Sequence, residues 1–224
     1  MTQHGARRAL QFVCVIAAVY AATGCGGDST GSHLPDGDPG PVHVHGLAAA
    51  SYQRTFVAAH TGVFIVSPGT VPGKRRIGKP FDVTAIVRLP DRSLLASGHP
   101  NPHNSPHTQT ADGPKSLLGV IRSRDEGRTW TPLALAGKRY FSLMKASGRV
   151  IYGFDPVARE LLTSADGGRR WHVAGAPPKD LYDFGVGFYQ ARRLAATSPE
   201  GSWLSQDAGR SWRRTSRIRS SARR

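Results

Sequence analysis

The chain has 224 residues and a hydrophobic fraction of 39%, enough to bury a sizeable core, which excludes a disordered polymer and fits a single globular domain. Lys and Arg outnumber Asp and Glu by 30 to 15, for a formal net charge of +15. Seven of the arginines fall within residues 210–224, so the basic excess is partly a property of the tail.

Residues 1–24 read as an export signal. His4, Arg7 and Arg8 precede an apolar run from Ala9 to Ala22 that is short for a membrane span. The run ends in Ala22-Thr23-Gly24-Cys25, which resembles the bacterial lipobox; the resemblance implies cleavage before Cys25 and a diacylglycerol on its thiol. The alternative is an ordinary secretory signal that happens to end beside a cysteine. Residues 25–40 contain almost nothing to bury and are expected to form a flexible tether. Cys14 would leave with the signal, so no disulfide is expected within the mature monomer.

An internal repeat follows. Ser123-Arg124-Asp125-Glu126-Gly127-Arg128-Thr129-Trp130 returns as Ser164-Ala165-Asp166-Gly167-Gly168-Arg169-Arg170-Trp171 and as Ser205-Gln206-Asp207-Ala208-Gly209-Arg210-Ser211-Trp212, at a constant spacing of 41 residues. Each octet has the chemistry of a β-hairpin turn. The carboxylate can accept main-chain N–H groups two residues on, the glycine supplies a positive φ, and the tryptophan packs beneath. Strand-like segments flank the turns, at residues 118–122 and 160–163 before them and at 131–135 and 172–174 after them. About 41 residues is the size of four short strands with their turns, one blade of a propeller.

The octets resemble the Asp-box, or bacterial neuraminidase repeat, of sialidases, sortilin-type receptors, photosystem assembly factors and bacterial lipoproteins classed with glycosyl hydrolases. The resemblance implies an all-β, β-propeller-like fold and a structural role for Asp125, Gly127, Trp130, Asp166, Gly168, Trp171, Asp207, Gly209 and Trp212. It implies no particular activity, because the motif lies on the outer part of the blade.

Four blades are legible, at residues 41–79, 80–136, 137–178 and 179–215, within a propeller domain of 41–215, followed by a basic, disordered tail at 216–224. The first has a decayed turn at Ser67-Pro68-Gly69, and the second carries a loop insertion from Asn101 to Lys115. Four blades can close on themselves, or form an incomplete arc whose edge needs a partner such as a second copy.

Aligned blades place His60, His99, Asp155 and Ser198 at equivalent ends of their second strands, and alternation puts His43 and His45 on one face of an inner strand. His43, His45, His60 and His99, with Asp155 as an oxygen donor, are therefore candidate ligands for zinc or copper. The alternative is a polar channel lining with water between the histidines. His103 and His107 are weaker candidates, since Pro102 and Pro106 forbid a helix there.

The resemblance also raises a sialidase-like glycosyl hydrolase. Its chemistry needs paired carboxylates, or a tyrosine with a glutamate base, an aspartic acid and three arginines. Only three glutamates are present, Glu126, Glu160 and Glu200; Tyr152, Tyr182, Asp183 and Arg193 could face a channel without forming a recognisable set. Arg75-Arg76-Ile77-Gly78 has glycine where the sialidase signature has proline. The preferred expectation is a binding or assembly platform at the outer face of the cytoplasmic membrane. Its partners would be the membrane through the lipid, an envelope glycan, an anionic polymer or a protein, and not nucleic acid.

Overall fold

The computed structural model describes residues 40–41, 43–69, 76–100 and 117–217. The expected signal, Cys25, most of the tether, the insertion with His103 and His107, and the end of the tail lie outside the described residues.

The described chain forms a four-bladed β-propeller fold with no helix among the described residues. Blade one comprises β1 (Val44–Ser51), β2 (Arg54–Ala59), β3 (Gly62–Val66) and β4 (Arg76–Ile77). Blade two comprises β5 (Asp82–Arg88), β6 (Leu94–His99), β7 (Val120–Ser123) and β8 (Thr131–Ala134). Blade three has β9 (Leu143–Ser147), β10 (Val150–Asp155), β11 (Glu160–Ser164) and β12 (His172–Gly175), and blade four has β13 (Asp183–Val186), β14 (Leu194–Ser198), β15 (Gly201–Ser205) and β16 (Arg213–Arg217). β16 extends two residues past the expected domain limit, pairing its main chain with Gly201 and Ser202.

Each sheet is an antiparallel meander in chain order, so successive strands reverse direction. The ends of the second strands therefore lie at one end of the blades, with the starts of the first strands. The octet turns, which join third to fourth strands, lie at the other end.

Blades pack face to face through apolar side chains. Phe56, Ala58, Val63 and Ile65 of blade one meet Val83, Ile86, Leu94 and Ile121 of blade two. Val87, Leu95 and Val120 of blade two meet Phe141, Ile151 and Leu162 at blade three, and Tyr152 and Leu161 meet Phe184, Leu194 and Ala196 of blade four. Strands covered on both faces read as continuous buried runs, as in β6. β14 instead alternates buried and exposed residues, as expected of a sheet with one covered face. The first strands follow one another as β1, β5, β9 and β13, with no contact of comparable extent from β13 back to β1.

The octets form their turns with a longer reach than the two-residue bond expected for the carboxylate. Asp125 Oδ1 accepts the N–H of Thr129 at 2.9 Å, Asp166 Oδ1 that of Arg170 at 3.0 Å, and Asp207 Oδ1 that of Ser211 at 3.0 Å, four residues on in each case. The first serine of each octet accepts the N–H of its glycine and donates to its aspartate, as Ser123 does at 2.7 and 2.8 Å. Two consecutive positive-φ residues curl the loop enough for this, Glu126 with Gly127, Gly167 with Gly168, and Ala208 with Gly209. Trp130 and Trp171 donate their indole N–H to the glycine carbonyls at 3.0 and 2.8 Å. The indole N–H of Trp212 is buried with no such partner.

Candidate functional site

The first strands surround a cavity of about 380 Å³, lined among others by Ala49, Ile86, Arg88, Met144, Lys145 and Val186. His45 stands on its wall, at the end of the blades where the second strands finish.

Three candidate histidines gather there, by a route other than simple alternation. β1 begins only at Val44, and His43 precedes it with φ +52°. A register shift between Val44 and Gly46 bulges the strand at His45. The bulge re-aims side chains as bulges at functional sites do. The His43 and His45 rings thus both reach His60, with centroids 5.1 and 4.4 Å away. His60 sits just beyond the end of β2.

Asp82 completes the group and was not anticipated. It opens β5, is fully buried, and accepts a hydrogen bond from His60 Nδ1–H at 2.8 Å. His45, His60 and Asp82 are the one group of three potential metal-binding side chains among the described residues whose ligand atoms lie within 4.8 Å of one another. The signal in the sequence was an acid heading the buried apolar run of β5, a position where an ionised group needs a partner. Gly98 makes room for it. A Cβ there would lie 1.9 Å from the Asp82 carbonyl oxygen, and its φ of +153° disfavours other residues.

The geometry separates two roles. His45 Nε2 lies 3.3 Å from both ring nitrogens of His60, and with Nδ1 committed to Asp82 it is Nε2 that is left to pair with His45 Nε2. That matches the roughly 3.3 Å edge of a tetrahedron with metal–nitrogen bonds of ~2.0–2.1 Å. Asp82 then fixes the orientation of the His60 ring, as carboxylates do behind metal-bound imidazoles, which would leave its Nε2 able to serve a metal. Loss of hydration around its imidazolium lowers the pKa of His45. His60 and then His43 add to this by opposing a second positive charge, against the raising effect of Asp82. His45 keeps an exposed edge, but the ring is crowded enough for desolvation to lead. The balance favours the neutral imidazole, the form that could take a metal.

The remaining candidates lie elsewhere. His99 is buried across the sheet from Asp82 and packs on Tyr140, with ring centroids 4.8 Å apart. Asp155 accepts from Arg139 at 3.0 Å and from the N–H groups of Val157 and Ala158, which fixes the turn after β10. Ser198 accepts from Trp203 Nε1 at 3.0 Å.

The residues weighed for glycoside hydrolysis do not assemble either. Glu126 pairs with Arg54, Glu160 with Arg139 and Glu200 with Arg214. Tyr152 is buried with its hydroxyl on the Ala191 carbonyl, and Asp183 pairs with Lys145 at 3.0 Å.

No family model and no curated protein matches the chain by sequence. Its fold is similar to that of solved β-propeller proteins. A gluconolactonase from Xanthomonas campestris superposes with a TM-score of 0.53 and 16% identity over 75% of this chain and 60% of that one. The GH74 enzyme of Niastella koreensis gives 0.52 and 13% over 78% of this chain and 24% of that one. PorZ, a surface component of the Porphyromonas gingivalis type-IX secretion system, gives 0.50 and 13% over 75% and 20%. The chain thus spans from a fifth to three fifths of these proteins, and the likeness at such identities is one of fold.

Proposed function

We propose that this protein is an exported, lipid-anchored propeller of the Asp-box type. It serves as a binding platform at the outer face of the cytoplasmic membrane, with zinc or copper held by His45, His60 and His43. The observation that supports this most is the pair of imidazole nitrogens 3.3 Å apart beside a buried, orienting Asp82, on the wall of the axial cavity. Two or three protein ligands leave a coordination position open, and an open position is what a platform needs to capture a donor group from a partner or small molecule. The sialidase-like hydrolase is the weaker reading, since all three glutamates are engaged in ion pairs with arginine.

The test is metal content. Purified protein dialysed against zinc or copper should retain close to one ion per chain by elemental analysis, and a His45→Ala, His60→Ala double variant should retain none. Wild-type protein that stays metal-free, with thermal stability unchanged by either ion, rules the metal out.

A further inference from the structure

At the end of the blades opposite the histidines, four arginines from two neighbouring sheets surround one cavity of about 350 Å³. Its lining comprises the β5–β6 turn at Leu89, Pro90 and Asp91, together with Arg122, Arg124, Arg149, Arg169 and Gly167. The octets supply two of the guanidiniums. Arg124 follows the first serine of the blade-two octet, and Arg169 follows the second glycine of the blade-three octet. Arg149 comes from the β9–β10 turn.

The charges are unequal. Asp91 is the one carboxylate in the lining and is already spoken for. It accepts the Ser93 hydroxyl at 2.6 Å and the Ser93 N–H at 3.1 Å, and it pairs with Arg122 Nη2. Arg122 is only 7% exposed; Nη2 also donates to Ser93 Oγ at 2.9 Å, while its Nε is buried with no hydrogen-bond partner. Arg124 and Arg149 are exposed and form no ion pair with a described carboxylate. The Arg169 guanidinium donates to the carbonyl of Asp166, at 2.9 Å, and its main-chain N–H to the Asp166 carboxylate, at 3.0 Å, both within its own turn. Arg124, Arg149 and Arg169 therefore line the cavity with no ion pair of their own, the one nearby carboxylate, Asp91, being paired with Arg122 and reached by Arg124 only through its longer-range field.

We propose that this cavity is a second binding site, for a phosphate group. A guanidinium offers two parallel N–H donors that match two phosphate oxygens, and several around one concave surface recognise a tetrahedral dianion or a phosphodiester far better than a planar carboxylate. The buried Arg122 and its Asp91 partner hold the floor in place, and Arg124, Arg149 and Arg169 close on the ligand from the rim. The site stands independently of the metal reading, since the two lie at opposite ends of the blades.

The full-length chain, kept in detergent with a chelator present, is titrated calorimetrically with inorganic phosphate and separately with a glycerol-phosphate polymer. Wild-type protein should bind both, less tightly as salt is added. An Arg124→Gln, Arg149→Gln double variant should lose at least tenfold in affinity. An Arg210→Gln, Arg213→Gln variant, which removes the same charge from exposed positions at blade four, should change less than twofold. Tighter binding per phosphate by the polymer identifies an envelope polymer as the source, and equal affinities identify the free ion. Absence of phosphate binding by wild type, or equal losses in both double variants, overturns the site.

Discussion

Asp82 shows how much of the chemistry rests on one buried side chain. Asp82→Asn keeps the size and one acceptor but loses the charge that holds the proton on His60 Nδ1, so metal affinity should fall by about 10–100-fold while the fold persists. Competition with a colorimetric chelator checks this, and an unchanged affinity would show that Asp82 does not orient His60. His45 carries a linked pH effect. Its pKa is lowered in the folded state, so below its ordinary value of 6.5 the unfolded chain binds a proton that the folded chain resists. Stability should therefore be fully present above that value and decline as pH falls from about 6.5 toward the lowered folded value. Urea unfolding of metal-free protein between pH 8 and pH 5 measures it, and His45→Gln should flatten the slope. His60 was legible as a candidate because equivalent blade positions converge on an axis, and His43 and His45 because strand alternation sets them on one face. Asp82 was not, since its burial is decided by blade packing and its partner lies 22 residues away. Nor could periodicity reveal the bulge at His45, which breaks the alternation from which the candidates were first read.

The octet turn is the element that reads most directly from sequence, because all its bonds close within eight residues. The structure adds which of its positions are tight. A Cβ on Gly209 would lie 2.5 Å from Leu161 Cδ2, whereas one on Gly127 would find nothing nearer than 3.7 Å. Both have φ near +90°. Gly127→Ala should therefore cost only the backbone term of roughly 1–2 kcal/mol, while Gly209→Ala adds overpacking of about 1–3 kcal/mol. Equal destabilisation of the two variants in urea unfolding would show that the apposition of blades three and four at Leu161 yields freely. The carboxylates behave as turn-makers too. Hydrogen bonds from the Thr129 hydroxyl and N–H hold Asp125 near a pKa of about 2. Its contribution is accordingly present above the ordinary carboxylate value and disappears only as pH falls through about 2. The phosphate cavity was not legible in the sequence, since its arginines belong to different turns of two blades and meet only when those blades stack.

At the scale of the whole molecule, four meanders of the same handed order give a body with two unlike ends. Histidines and a buried carboxylate occupy one, arginines the other, separated by about one strand length, roughly 20 Å for six residues. Export and anchoring are tested at this scale. Cys25→Ser should move the protein from the membrane fraction to the soluble envelope fraction, and continued membrane association would mean that something other than a lipid on Cys25 holds it. β1 starts at the histidine end, so the described chain enters the propeller on that side. The propeller would thus carry a metal-held group at its histidine end and a phosphate at its arginine end. Its two cargoes would then arrive from opposite directions, never competing for the same approach.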